Sequence, residues 1–219
     1  MHLAPITAAA ASICLAGLAD AGTVYFDLRG SGGLADSYTI VSTDGLHELT
    51  VTAASRDFRG NLVDARVGRW GNGMGVVHRH WDSDHRVDGS GYDDMLLFDL
   101  EMPFDIDEIW FSYVDRNDDA TIVDGNGDVI TSNGYELDDL RIGRDFYSSL
   151  DLRPAELETD LFGVMADGRN DEFKVTYLGV SFDDPIVPLE DVIATPTPTA
   201  AGLGLLSVVA LAGRRVRRA

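Results

Sequence analysis

The densest run of groups able to bind or catalyse is His78-Arg79-His80-Trp81-Asp82-Ser83-Asp84-His85, followed by Asp88 and by Asp93-Asp94. In an extended chain alternate residues share a face, so His78, His80, Asp82 and Asp84 project together. Two imidazoles with two carboxylates suit a transition metal, and the carboxylates alone suit calcium. A catalytic metal also needs ligands held by outer hydrogen bonds, and the sequence shows none. The run is therefore read first as a solvated strand end and loop. Its second reading is a calcium site through Asp82, Asp84 and Asp88, and its last a catalytic metal.

Two further acidic runs follow. Asp115-Arg116-Asn117-Asp118-Asp119 can gather oxygens around calcium through Asp115, Asn117 and Asp119. Asp124-Gly125-Asn126-Gly127-Asp128 opens like an EF-hand loop, but Val129 stands where that loop needs glycine. Glu136 also falls one position beyond the expected bidentate ligand. A hairpin turn between residues 121–123 and 128–130 is the better account. Catalytic signatures are missing: there is no G-x-S-x-G elbow, no H-E-x-x-H, no phosphate loop and no dinucleotide fingerprint. Carboxylate pairs at glycosidase spacing are expected by chance in so acidic a chain, so they argue nothing. Trp70 and Trp81 lie beside loops, where an indole can stack on a sugar; Trp110, within Ile109-Trp110-Phe111, is expected in the core.

The elements that must position these groups are strands. Short β-rich runs recur between Gly, Asp and Asn: residues 23–28, 37–42, 48–53, 62–67, 73–80, 95–100, 109–114, 135–142, 161–165 and 173–182. The last alternates Phe173, Val175, Tyr177, slips at Leu178-Gly179, and resumes at Val180 and Phe182. The one candidate helix is residues 153–161, with Pro154 in its first turn. About ten to twelve short strands predict an all-β protein, a single jelly-roll-like β-sandwich over residues 22–184.

Composition narrows the function. The formal net charge is −20, and Lys174 is the sole lysine. Such a surface repels nucleic acid and anionic lipid. The single cysteine, Cys14, lies before the strand-rich body. Disulfides, thiolate metal sites and cysteine catalysis are thereby excluded from that body.

The two ends read differently from the middle. Residues 3–18 are apolar or small, and Ala19-Asp20-Ala21 offers a small-x-small cleavage site before Gly22, so residues 1–21 are expected to be a signal peptide. Residues 185–199 form a proline-bearing linker that includes Pro196-Thr197-Pro198. Residues 200–213 are uncharged and mostly apolar; as a helix they rise about 21 Å against a hydrocarbon core of about 30 Å, a short membrane span. Arg214, Arg215, Arg217 and Arg218 follow within residues 214–219, expected on the cytoplasmic side.

This order of spacer, short apolar helix and arginine cluster resembles the PEP-CTERM sorting signal of Gram-negative bacteria. Pro196-Thr197-Pro198 stands where that family usually has Pro-Glu-Pro. The resemblance covers about the last 25 residues. It implies an exosortase as processing partner, a membrane-anchored intermediate, and delivery to the cell surface or extracellular matrix. The resulting expectation is an exported, non-enzymatic surface or matrix protein. A carbohydrate-binding sandwich that meets extracellular polysaccharide is the main alternative, and a secreted glycosidase the weaker one.

Overall fold

In a computed structural model, the described residues are 22–78, 85–143 and 146–182. The chain divides into two units, Met1–Pro185 and Ile186–Ala219. The signal segment, the Pro196-Thr197-Pro198 motif, the apolar stretch and the arginine cluster all lie outside the described residues. Among the described residues, no helix is long and apolar enough to cross a membrane.

The first unit is all-β. Its strands are β1 (Val24–Asp27), β2 (Gly33–Ala35), β3 (Ser37–Val41), β4 (Glu48–Arg56), β5 (Leu62–Asp64), β6 (Arg66–Trp70), β7 (Gly73–Val77) and β8 (Val87–Asp88). Then come β9 (Asp93–Ser112), β10 (Asp119–Val123), β11 (Thr131–Ser132), β12 (Tyr135–Glu136), β13 (Leu140–Arg141), β14 (Tyr147–Asp151), β15 (Glu158–Met165) and β16 (Glu172–Ser181). All pairings among them are antiparallel.

β9 organises the whole. Its first half pairs β4 on one edge and β15 on the other, and β15 continues to β10 and β13. Its second half pairs β14 and β16. The far edge of β16 is shared by β1, β7 and β8, and β7 leads on to β6 and β2. The two halves meet at an irregularity: β15 sets Thr159 against Phe104 but Leu161 against Asp99, so residues 100–103 bulge from the ladder. Pro103 lacks the N–H a ladder would need, which suits it to that bulge. The result is sandwich-like. One apolar cluster takes the inward residues of both halves, among them Val51, Phe98, Phe111, Phe162, Phe173 and Leu178.

Several expectations need correction. Run 95–100 and most of run 109–114 belong to one strand, which continues between them through the buried Phe104 and Ile106. The candidate helix is a single 3-10 turn, Arg153–Ala155; Glu156 then adopts a left-handed backbone (φ 49°), and the following residues join β15. Run 73–80 ends as a strand at Val77. Run 135–142 breaks into two short pieces around Asp139, itself left-handed at φ 49°. β14 has no counterpart among the expected strands. By contrast, the slip at Leu178-Gly179 has a physical form: the register of β16 with β9 shifts between Gly179 and Val180.

Candidate functional site

Two regions concentrate chemistry, and the acidic loops are the first. Asp118 is fully buried (0% exposed) between β9 and β10, where its Oδ2 accepts the Asp115 N–H and its Oδ1 the Glu172 N–H at 3.3 Å. Asp171, 6% exposed, does the same from the facing loop: it accepts the Asp119 N–H at 3.3 Å and the Gly168 N–H at 2.9 Å. These carboxylates clip two loops together through backbone donors. Burial raises both above the ordinary carboxylate range, against the pull of those hydrogen bonds, and Asp171 reaches about 6. Asp119 and Asp167 are also raised, by burial first and then by neighbouring aspartates.

Beside them Asp138, Asp139 and Asp167 converge, with one oxygen of each within 4.8 Å of the others. Oxygen donors of this kind suit a hard cation such as calcium, although acidic loops often converge this way without one. The sequence displays the Asp138-Asp139 pair but nothing that links it to Asp167.

The expected calcium ligands fare differently. Asp82 and Asp84 lie outside the described residues. Asp88 sits in β8 opposite Glu172, and its Oδ1 accepts the Ser90 N–H at 2.9 Å. Asn117 turns its amide to the Asn170 carbonyl at 3.3 Å, and Asp119 pairs with Arg141 in the β10–β13 register. The Asp124 loop is a turn: Asp124 Oδ1 accepts the N–H groups of Asn126 and Asp128, and Gly127 adopts φ 81°. Arg56 donates to the Gly127 carbonyl at 3.2 Å, which holds the turn beside Met95.

The second region is aromatic. Ile109 and Phe111 are fully buried, whereas Trp110 between them is 42% exposed. Strand alternation turns Trp110 outward, so its expected place in the core is corrected. Tyr177, its partner in register on β16, meets the indole edge-on at 6.4 Å. The Arg29 guanidinium lies 4.4 Å over Tyr177 and is forked onto both oxygens of Asp27 at 2.9 Å. Tyr25 donates to Glu108 at 2.5 Å across Gly179, whose missing side chain leaves the room. That hydrogen bond, then burial, raises the pKa of the Tyr25 hydroxyl.

The tract continues towards β14. Tyr147, 64% exposed, is registered with Ser112, two residues along β9 from Trp110 and therefore on the same face. Phe146 packs against both Tyr147 (4.9 Å) and Tyr113 (4.6 Å). Tyr113 has a left-handed backbone (φ 62°), and its hydroxyl accepts a hydrogen bond from Asn72. Lys174 Nζ lies 4.5 Å from the Trp70 ring and 5.5 Å from that of Tyr113. Trp70 stacks on His85 at 4.6 Å, and Gly68 makes space for its indole: a Cβ there would fall 1.7 Å from the ring. Trp70, Gly71, Asn72, His85 and Lys174 line a cleft of about 410 Å³.

Sequence reasoning named Trp70 and missed Phe146 and Tyr147. The signal for β14 was the alternation of Tyr147, Ser149 and Asp151 with Ser148 and Leu150. Trp81 lies outside the described residues. Compared with family models, with curated proteins and with solved structures, the chain matches none.

Proposed function

We propose that the chain is an exported, non-enzymatic surface or matrix protein whose β-body binds extracellular polysaccharide through the outward face of β14, β9 and β16. The observation that carries this reading is the aromatic tract on that face, bordered by carboxylates. A sugar ring presents polarised C–H groups to the negative face of an aromatic ring, and its hydroxyls donate to carboxylates. Trp110, Phe146 and Tyr147 are exposed there. Exposed apolar area of this kind marks an interaction site rather than a random surface.

The export route rests on the resemblance of the tail to PEP-CTERM signals, with an exosortase as its processing partner. The finer fold reading, a single jelly-roll-like sandwich over residues 22–184, belongs to the same proposal. Among the described residues, a divalent ion is expected at Asp138, Asp139 and Asp167, as a clamp on loops and not as a catalyst.

A panel of matrix polysaccharides, presented to the full-length protein, tests the binding. Retention by at least one polysaccharide, weakened about tenfold by joint Trp110→Ala and Tyr147→Ala, is expected, since each ring contact contributes about 0.5–1.5 kcal/mol. No retention, or retention indifferent to that pair, overturns it. Release of sugars from any of the polysaccharides would remove the non-enzymatic claim. Mass spectrometry of the mature, released protein tests the tail: intact residues 214–219 in that form would sink the sorting proposal.

A further inference from the structure

We infer that the polysaccharide taken by the aromatic face is neutral, and that uronate- or sulfate-bearing chains are excluded; this rests on the polysaccharide reading above. Recognition of an anionic sugar needs a guanidinium or ammonium that can turn to it. Among the described residues of this face the cations are already committed. Arg29 is forked onto Asp27 at 2.9 Å, and Arg153 onto Asp151 at 2.8 Å. Arg86 pairs with Glu172 and lies 5.0 Å over Tyr113. Lys174 is buried, its ammonium held against two aromatic rings.

Each arginine–carboxylate pair is neutral as a unit. An incoming carboxylate that takes Arg29 from Asp27 leaves Asp27 unpaired a few ångströms away, so the site gains a net negative charge whichever anion holds the arginine. Glu108, hydrogen-bonded to the neutral phenol of Tyr25, adds a further anion between Trp110 and the β1 edge. Beyond the face lies a chain of net charge −20. At about 4 Å in water two like charges repel by about 1 kcal/mol, and a polyanion repeats that cost along its length. The same carboxylates accept only; a neutral sugar, rich in hydroxyl donors, satisfies them without adding charge.

Affinity electrophoresis of the full-length protein tests this, in gels that hold a neutral β-glucan, a neutral galactomannan, alginate or hyaluronan, each at low and at high salt. Retardation by a neutral chain, unchanged by salt, and none by alginate or hyaluronan is the expected result. Retardation by a uronate chain equal to that by the neutral ones overturns the inference while leaving the polysaccharide reading in place. So does neutral binding that collapses in high salt. Absence of retardation in every gel overturns both. Asp27→Asn supplies a gain-of-function arm: freeing Arg29 is expected to raise uronate binding about tenfold at low salt. An unchanged uronate affinity in that variant overturns the argument from pairing.

Discussion

The aromatic face and the acidic loops handle charge in opposite ways. On the face, carboxylates sit beside guanidiniums and the charges cancel: Asp27 with Arg29, Asp151 with Arg153. In the loops Asp118 and Asp171 are buried on backbone N–H groups, and their nearest titratable neighbours are other acids. The paired charges thus leave the face with little net charge from these four groups. The loops hold charge inside the protein, where the backbone amides that stabilise it also join β9, β10, β15 and β16. On the reading proposed above, the first region serves recognition and the second cohesion, and the two should answer differently to truncation.

The sharpest way to break this contrast is Asp118→Ala. It takes the acceptor from the Asp115 and Glu172 N–H groups at a part-buried site, at about 1–3 kcal/mol for each that water does not reach. A loss of about 2–5 kcal/mol is expected, read as a fall of roughly 5–15 °C in melting temperature. A loss no greater than that of an exposed Asp→Ala change would show that the clip is ornamental.

Next in size is the response to acid. Burial pushes Asp171 up to about 6 in the folded chain, against 3.8 for the free group. Between those values the folded chain keeps a proton that the unfolded chain has lost. Stability therefore rises as pH falls through that window, by up to about 1.4 kcal/mol per pH unit for a group so buried. Asp118, Asp119 and Asp167 are shifted in the same direction. Below the window the trend reverses. Asp44 and Asp124 feel an upward push from burial, but their hydrogen bonds prevail and hold them below the ordinary range. Their stabilisation is lost as pH falls through their lowered values. Thermal melts from neutral pH to pH near 4 should show a maximum on the acid side, and Asp171→Asn should flatten the rise. A monotonic loss of stability with acid would contradict the burial argument.

On the aromatic side, truncation should leave the fold nearly untouched. Trp110→Ala with Tyr147→Ala is expected to cost about 1 kcal/mol or less in stability, measured by chemical denaturation, since both rings are exposed. Gly68→Ala is the more informative variant. Its new methyl must displace the Trp70 indole, opening the cleft over Lys174 and weakening polysaccharide binding several-fold while the loops keep their melting profile.

The smallest effect concerns metal. Calcium at the Asp138, Asp139 and Asp167 cluster should raise the melting temperature by a few degrees through binding to the folded state alone. Asp139→Asn should remove that gain. Magnesium at equal ionic strength is the control, because screening alone stabilises so acidic a chain. Equal shifts from the two ions would leave the loops held by backbone amides only.

Much of the β-architecture was legible because burial on one side imposes a period of two. Phe173, Val175 and Val180 display it, and the register shift of β16 against β9 at Gly179 and Val180 falls where that period slips. Trp110 was misplaced because hydrophobicity was weighed there without alternation: its neighbours Ile109 and Phe111 are the core residues. The joining of two apolar runs into β9 was hidden by Asp105, Asp107 and Glu108, whose charges read as a loop although strand geometry tolerates them. The candidate sites were harder still. Asp167 meets Asp138 and Asp139, and Tyr147 meets the Trp110 face, only through pairing between strands distant in sequence. No local pattern carries that information.

β9 has a further consequence, for the order in which the protein can be made. Its first half finds β4 among residues already synthesised, but β15 and β16 come later, and β1 also waits for β16. A chain that emerges β1 first thus carries two open strand edges until its last described strand is out. Such edges invite foreign pairing, and closure over so long a separation is slow. Folding is therefore a late and nearly single event. A nick within β16 would release β1 and half of β9 together, so a protease that reaches that strand disassembles the body rather than trimming it.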